Sequence, residues 1–448
     1  MKKRTFIRLS SALVAGCAFT PLFSWQKRER LKNWAGNIEY STGRLYYPET
    51  IDQLKELVKK NSKLKVLGTR HCFNSIADST ENLISLKKLD QVMELDPKTL
   101  TVKVGPGITY GQLGPYLHTR GFALHNLASL PHISVAGACS TATHGSGIKN
   151  GNLATAVSEI EMITAGGDLL RLSGKKDGEQ FQSAVVSLGA LGVITGITLD
   201  IQPTYRVKQV VYENLPMAHL QEHFDEILSS GYSVSLFTDW QSENINEVWI
   251  KTRVAEGETL ELKPEFFGAK LATKNLHPIV NLSAENCTEQ MGIPGPWYDR
   301  LPHFRMGFTP SSGKELQAEY FVPYHNAVEA ILAVARLRNL VGPELMISEI
   351  RTIAADNLWM SPCYQQPCVT IHFTWKQDWP AVSKLLTRIE KELEPFNARP
   401  HWGKLFEMSP SKLQGQYKRL KEFQQMLKFY DPRGKFRNKF LDTNIYNG

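Results

Sequence analysis

Apolar residues recur at helical spacing in Ile51, Leu54, Leu57 and Val58, directly after Thr50, whose hydroxyl suits an N-cap. The pattern predicts a helix from 51 to 58. Short β-rich runs surround it at 65–67, 83–86, 92–95 and 100–104. Helical spacing returns over 110–117. Runs at 159–164 and 169–172, joined by Ala165-Gly166-Gly167-Asp168, predict a hairpin. A long β-rich run over 193–202 closes this region. After Pro203 the pattern changes: amphipathic helices are predicted over 216–229 and 325–338, with strands over 233–237, 248–252, 317–322, 345–352 and 369–375. No fixed-period repeat is present.

A chain of 448 residues suggests two to three domains. Hydrophobic residues at 42% provide for a sizeable core, and nothing in the composition signals disorder. The formal charge of +8 invites a nucleic-acid reading, but residues 1–32 carry eight Lys and Arg against Glu29 alone. The remaining body is nearly neutral, so no nucleic-acid partner is expected.

That basic start reads as a leader. Lys2-Lys3-Arg4 precedes an apolar stretch from Leu9 to Phe23, too short for a comfortable membrane span. Residues 3–9 resemble a twin-arginine export signal with Lys in the first position. Val14-Ala15-Gly16-Cys17 resembles a lipoprotein cleavage box. Residues 1–30 are therefore expected to direct export from a bacterium, to the periplasm or to a membrane anchor through Cys17. The six cysteines show no zinc-type spacing, and no metal site is expected. Cys363 and Cys368 flank a Pro-containing loop; a disulfide and two buried thiols are both open there.

Four glycine-rich loops stand out: Gly68-Thr69-Arg70-His71-Cys72-Phe73-Asn74, Gly105-Pro106-Gly107, the stretch from Ser134 and Gly137 to Thr143-His144-Gly145-Ser146-Gly147, and Gly189 to Gly192 with Ile194. Glycine lets backbone approach a ligand and aim several N–H groups at one anion. No GxGxxG follows a strand, which disfavours a Rossmann pyrophosphate site.

On these loops the chain resembles the vanillyl-alcohol-oxidase superfamily of flavoproteins, and within it the alditol (xylitol) oxidases and D-arabinono-1,4-lactone oxidases. The resemblance covers most of the chain after residue 30. It implies an α+β fold: a two-subdomain PCMH-type FAD-binding domain over 31–204, a substrate-binding cap domain over 205–425 with a mixed or antiparallel sheet flanked by helices, and a segment over 426–448 returning to the FAD domain. It also implies FAD joined covalently to His71 through an 8α-N1-histidyl bond, with Cys72 standing where Ser is common. Gly68, Thr69, Arg70, Cys72, Phe73, Asn74, Ser134, Gly137, Thr143, His144, Gly145, Gly147, Gly192 and Ile194 are expected to line the cofactor. A neutral imidazole is nucleophilic enough for such a link, which would also raise the flavin's redox potential.

The second half carries polar residues inside strand-like runs: Gln317, Glu349 with Arg351, His372 with Thr374, and Lys404 in the run Arg-Pro-His-Trp-Gly-Lys. Spacing i, i+2 places each pair on one strand face. Ordinary solvent-facing alternation would look the same. The resemblance implies that these residues, with Ser129, bind the hydroxyls of a small polyol or sugar lactone. It assigns catalysis to Arg351, Lys404, Glu349 and His372. Arg351 and Lys404 would stabilise negative charge on the reacting oxygen, and His372 would accept a proton if its pKa lay near ambient pH. Ala128 falls in the stretch that matches the point where related lactone enzymes control oxygen access; Ala there leaves dioxygen and another electron acceptor both open, with dioxygen preferred.

The expected activity is oxidation of a terminal CH–OH of an alditol such as xylitol or sorbitol, yielding peroxide, by a monomer. An aldonolactone oxidase or dehydrogenase is the nearest rival. A non-catalytic carbohydrate-binding protein and a UDP-sugar reductase are weaker alternatives.

Overall fold

The structure, a computed structural model, describes residues 31–255, 262–307 and 313–446. The leader, and with it Cys17, lies outside the described residues. Helix Ile51–Lys60 begins where expected: the Thr50 side chain accepts a hydrogen bond from Gln53 N, and Leu54 and Val58 are buried. It accompanies a three-stranded parallel sheet in which Leu83–Ser85 lies between Leu45–Tyr46 and Lys65–Leu67. A second, antiparallel sheet has the order Val92–Asp96, Thr101–Val104, Val193–Asp200, Val157–Ile163, Leu169–Ser173. Gly68 and Gly105 follow Lys65–Leu67 and Thr101–Val104, and Gly192 precedes Val193–Asp200, so three of the four glycine-rich loops adjoin strand ends of these two sheets.

The third sheet is antiparallel and far larger. Its central strands run in the order Arg206–Pro216, Asn244–Val254, Ser233–Thr238, Leu345–Ile353, Cys368–Trp375, Leu316–Pro323. Alternation splits it into two faces. Ala318, Tyr320, Ile350, Ile371 and Phe373 pack with Ile331, Val334, Val382, Leu386 and Ile389 of helices Ala327–Ala335 and Trp379–Leu393 in one apolar core. The opposite face carries Gln317, Glu319, Glu349, Arg351, His372 and Thr374, and it too is buried. It is turned toward the glycine-rich loops, not toward solvent.

Register then places the polar residues in ranks. Glu349 pairs with His372, and His372 with Glu319, across three adjacent strands. Phe237 extends the rank through its pairing with Glu349. Thr374 lies opposite Gln317. The chain finally returns to the first sheet: Leu64 N donates to Lys435 O, and Phe436 is buried among Leu54, Val58, Leu64 and Ile84. The Asn438 amide donates to the carbonyls of Ser75, Ile76 and Asp78, just beyond the first glycine-rich loop.

Some elements differ from expectation. The helix predicted over 216–229 is two, Met217–Glu222 and Phe224–Leu228. His223 breaks it, with its ring drawn toward Phe267 and Glu226. Strand Arg206–Pro216 was not predicted, because buried Lys208 and Gln209 interrupt its apolar pattern. Cys363 and Cys368 are free, buried thiols in one small cluster with Phe321 and Ile353.

Candidate active site

Strand Lys65–Leu67 runs into Gly68, whose missing side chain admits Ser134: a Cβ there would lie 2.5 Å from Ser134 Oγ. Thr69 Oγ1 accepts from Ser134 N at 3.2 Å, which closes the contact between the two loops. Arg70 adopts the left-handed conformation at φ 64°. The turn sets His71 on the cavity wall, half-buried, with its ring stacked on Trp34 at 5.1 Å. Burial, followed by the nearby charges of Lys404, His132 and Arg70, pulls His71 down to about 3. The imidazole is thus neutral and nucleophilic at any physiological pH. Burial pushes the Cys72 thiol up to about 11, so it stays protonated. Residues 32–37 brace this loop: Trp34 N donates to Arg70 O, Asn33 to Cys72 O and Asn37 to Phe73 O.

Gly68, Thr69, Arg70, His71, Cys72, Phe73, Ser134, Gly137, Thr143, His144, Gly192 and Ile194 line one continuous cavity of about 280 Å³. Three other expected cofactor residues do not reach it. Asn74 donates to Trp402 O and Lys404 O and accepts from Ile76 N, so its amide fastens the His71 loop to the loop bearing Lys404. Gly145 packs against Leu127 O and the Asn126 amide. Gly147, at φ 134°, donates its N–H to Thr352 O and joins the loop to the large sheet. These three shape the site without facing it. His144 reaches the cavity, but its Nε2 lies 3.1 Å from Glu319 Oε1.

The opposite wall of the same cavity is the polar face of the large sheet. Ser129, Gln317, Glu349, Arg351, His372, Thr374 and Lys404 all line it. Arg351 is held from three sides: Nη2 donates to Glu319 at 2.9 Å, Nη1 to Ser129 Oγ at 3.3 Å, and Nε lies 3.5 Å from Glu349. Burial alone would raise both carboxylates. For Glu349 the Arg351 guanidinium, then His303, outweighs it; for Glu319 His144 and Arg351 do so, and both stay well below the usual carboxylate range. Lys404 donates to Gln317 Oε1 and lies 4.8 Å over the Phe73 ring, so it spans from the substrate wall to the tether loop. Burial lowers its pKa, Glu319 opposes that, and Arg351 adds to it.

His372 Nε2 lies 3.2 Å from Gln317 Oε1, and burial pulls its pKa down to about 3 against the opposing pull of Glu319. It does not meet the expectation of a base poised near ambient pH. It is a neutral ring whose basicity two neighbouring cations suppress.

The structure adds residues that sequence reasoning missed. Glu319, which holds both Arg351 and His144, follows Gln317 at i+2, so strand alternation already contained the signal. His401 and Lys65 also line the cavity, and Lys65 donates to Gly189 O at 2.9 Å. His303 lines it from a loop with no periodicity to betray it; its Nε2 lies 2.7 Å from Glu349 Oε1.

The fit to FAD rests on this chemistry. Close-approaching glycine loops and apolar Ile133, Ala136, Leu188 and Ile194 form one wall, and a neutral histidine stands where that wall meets a cationic polar floor. Residues 43–173 match the family of FAD binding domains, and residues 310–444 match the D-arabinono-1,4-lactone oxidase family. The chain is 45% identical to alditol oxidase from a Streptomyces species over 91% of this chain and 97% of that protein. It is 24% identical to L-gulonolactone oxidase from Bos taurus over 94% and 99%. Cholesterol oxidase from B. sterolicum shares the fold at a TM-score of 0.74 and 13% identity, covering 93% and 96%. Together with the glycine-loop wall and the polar floor, this similarity shows that the chain belongs to the alditol oxidase family of FAD-dependent proteins, on a vanillyl-alcohol-oxidase type of FAD-binding domain.

Proposed function

We propose that this protein oxidises a linear polyol at a terminal CH–OH, with FAD joined to His71 and dioxygen as the acceptor. One observation carries the reading: a single cavity runs from the neutral His71 imidazole to the floor formed by Glu319, Glu349, Arg351, His372 and Lys404. The 45% identity to an alditol oxidase supports the substrate class.

FAD held against the glycine-loop wall by residues 68–73, Ser134, Gly137 and Ile194 would supply a two-electron acceptor for the substrate's C–H and a donor to dioxygen. The chain does the rest. Arg351 and Lys404 stabilise charge growing on the reacting oxygen, in a site where fixed cations need no solvent reorganisation. Their fixed supports are Glu319, Ser129 and Gln317. Glu349 and Thr374 hold further hydroxyls. His372, a neutral ring, takes the hydroxyl proton as the hydride leaves carbon, while Arg351 and Lys404 hold the charge that grows on that oxygen. His71 anchors the cofactor, and Ala128 leaves dioxygen a path beside it.

The match of residues 310–444 to the lactone oxidase family favours a second reading, an aldonolactone oxidase. Anaerobic mixing separates the two. Xylitol or sorbitol should bleach the flavin absorbance well below the concentration at which L-gulono-1,4-lactone does; the reverse order would establish the lactone reading. Covalent attachment is tested on acid-precipitated protein, whose pellet should stay yellow. Export through residues 1–30, with or without lipid on Cys17, and a monomeric state complete the proposal; cell fractionation and light scattering test them.

A further inference from the structure

Lys251 occupies an unusual place for a lysine. It lies in strand Asn244–Val254 with 1% of its surface exposed, between the large apolar residues of that strand and the loop at 301–304. An ammonium group has three donors and no acceptor. Here all three are used: Nζ donates to Leu301 O, to Pro302 O at 3.2 Å, and to His303 Nδ1 at 3.0 Å. The last contact fixes the imidazole tautomer. With Nδ1 accepting, the ring proton sits on Nε2, which donates to Glu349 Oε1 at 2.7 Å. The same loop is pinned to the substrate wall, since His303 N and Phe304 N both donate to Ser129 O. Phe237 and Trp249 box the His303 ring edge-on at 5.4 and 5.1 Å, which fixes its plane.

We propose that Lys251 and His303 are positioning residues that hold the Glu349 carboxylate as a fixed hydroxyl acceptor, and that they thereby set the preference for a substrate with several hydroxyls. The inference rests on the polyol reading of the site. A buried carboxylate with two free oxygens could turn toward Arg351 with both. The Lys251–His303 chain instead holds Oε1 at 2.7 Å, the oxygen that Arg351 Nε also approaches at 3.5 Å, so the carboxylate cannot rotate to give both oxygens to Arg351. Glu349 keeps a lone pair for the ligand. Neither Lys251 nor His303 needs to exchange a proton with substrate.

The test compares Lys251→Met, His303→Leu and His303→Gln, each first checked for flavin-to-protein ratio and melting temperature against the parent. Gln retains an N–H donor where Leu has none. With xylitol under anaerobic conditions, Lys251→Met and His303→Leu should raise the half-saturating concentration about tenfold or more, the scale of a lost hydrogen bond to a charged group. The limiting rate of flavin bleaching should stay within about threefold, and His303→Gln should recover most of the lost affinity. The penalty should shrink for a monohydroxy alcohol. If Lys251→Met collects no flavin, the two His303 variants decide alone. Equal affinities for His303→Leu and His303→Gln, or loss of limiting rate with affinity intact, would overturn the inference. A parent that no polyol reduces would overturn the polyol reading itself, and the stated preference with it.

Discussion

A single loop side chain, His71, joins the two walls of the cavity. Its ring is neutral because burial, then the cations of Lys404 and Arg70, act in one direction. His71→Ala should leave the acid-precipitated pellet colourless, whether or not FAD still binds reversibly, and absorbance of the pellet near the flavin bands checks this. Lys404→Met removes a cation from the reacting oxygen and should slow anaerobic flavin bleaching by about 10²–10³-fold with a smaller change in substrate affinity. Unchanged bleaching rates would remove Lys404 from the mechanism. Glu319 gives a pH prediction. Its folded pKa lies well below the ordinary value of 4.5. The unfolded chain therefore takes up its proton first as pH falls. The stabilisation is complete above the ordinary carboxyl range and is lost as pH drops toward the folded value. Glu319→Gln should cost about 3–5 kcal/mol at neutral pH, because it removes the carboxylate that pairs with Arg351 Nη2 in a buried site. It should also flatten the acid limb of stability, as seen by chemical denaturation from neutral pH downward. Residue placement was largely legible: His71 and every expected substrate-wall residue line the cavity. His303 and Lys251 were not legible, because a loop residue and a lysine in an apolar strand carry no pattern that singles them out.

Strands and helices decide which side chains meet. On the large sheet, period-2 alternation sends Ile350, Ile371 and Phe373 to the helices and Glu349, Arg351 and His372 to the cavity. A slip of one residue would exchange the two sets. Phe373 is fully buried and stacks on Trp375 at 5.1 Å. Phe373→Ala should lower stability by about 3–5 kcal/mol through the cavity it leaves, read as a fall in denaturation midpoint. Asp378 caps helix Trp379–Leu393 by accepting from Ala381 N at 3.1 Å. Asp378→Ala should cost about 1 kcal/mol and leave substrate affinity unchanged, since Asp378 does not line the cavity. The strands that build the polar floor were readable because their apolar faces alternate cleanly. Strand Arg206–Pro216 was hidden by buried Lys208 and Gln209, and the helix expected over 216–229 is split by contacts of His223 that lie far away in sequence.

Across the whole molecule, the site exists because two separately built layers are pressed together. Phe436, from the far end of the chain, fills the core beneath strand Lys65–Leu67, and Asn438 grips the turn after the tether loop. Phe436→Ala should therefore lower flavin content as well as melting temperature, although it lies outside the cavity lining. Full flavin loading in a destabilised variant would show that this support is not needed. Local spacing alone determined most element types and the two faces of the large sheet, because backbone periodicity and side-chain type act over a few neighbouring positions. Which polar face was buried, which glycines faced the cavity and which only braced it, and the chain from Lys251 to Glu349 were settled by tertiary structure. Those outcomes depend on distances between segments tens to hundreds of residues apart. Burial in that shared interior keeps His71 and His372 neutral, and the Arg351 brought there keeps Glu319 and Glu349 charged against burial; no local pattern encodes either.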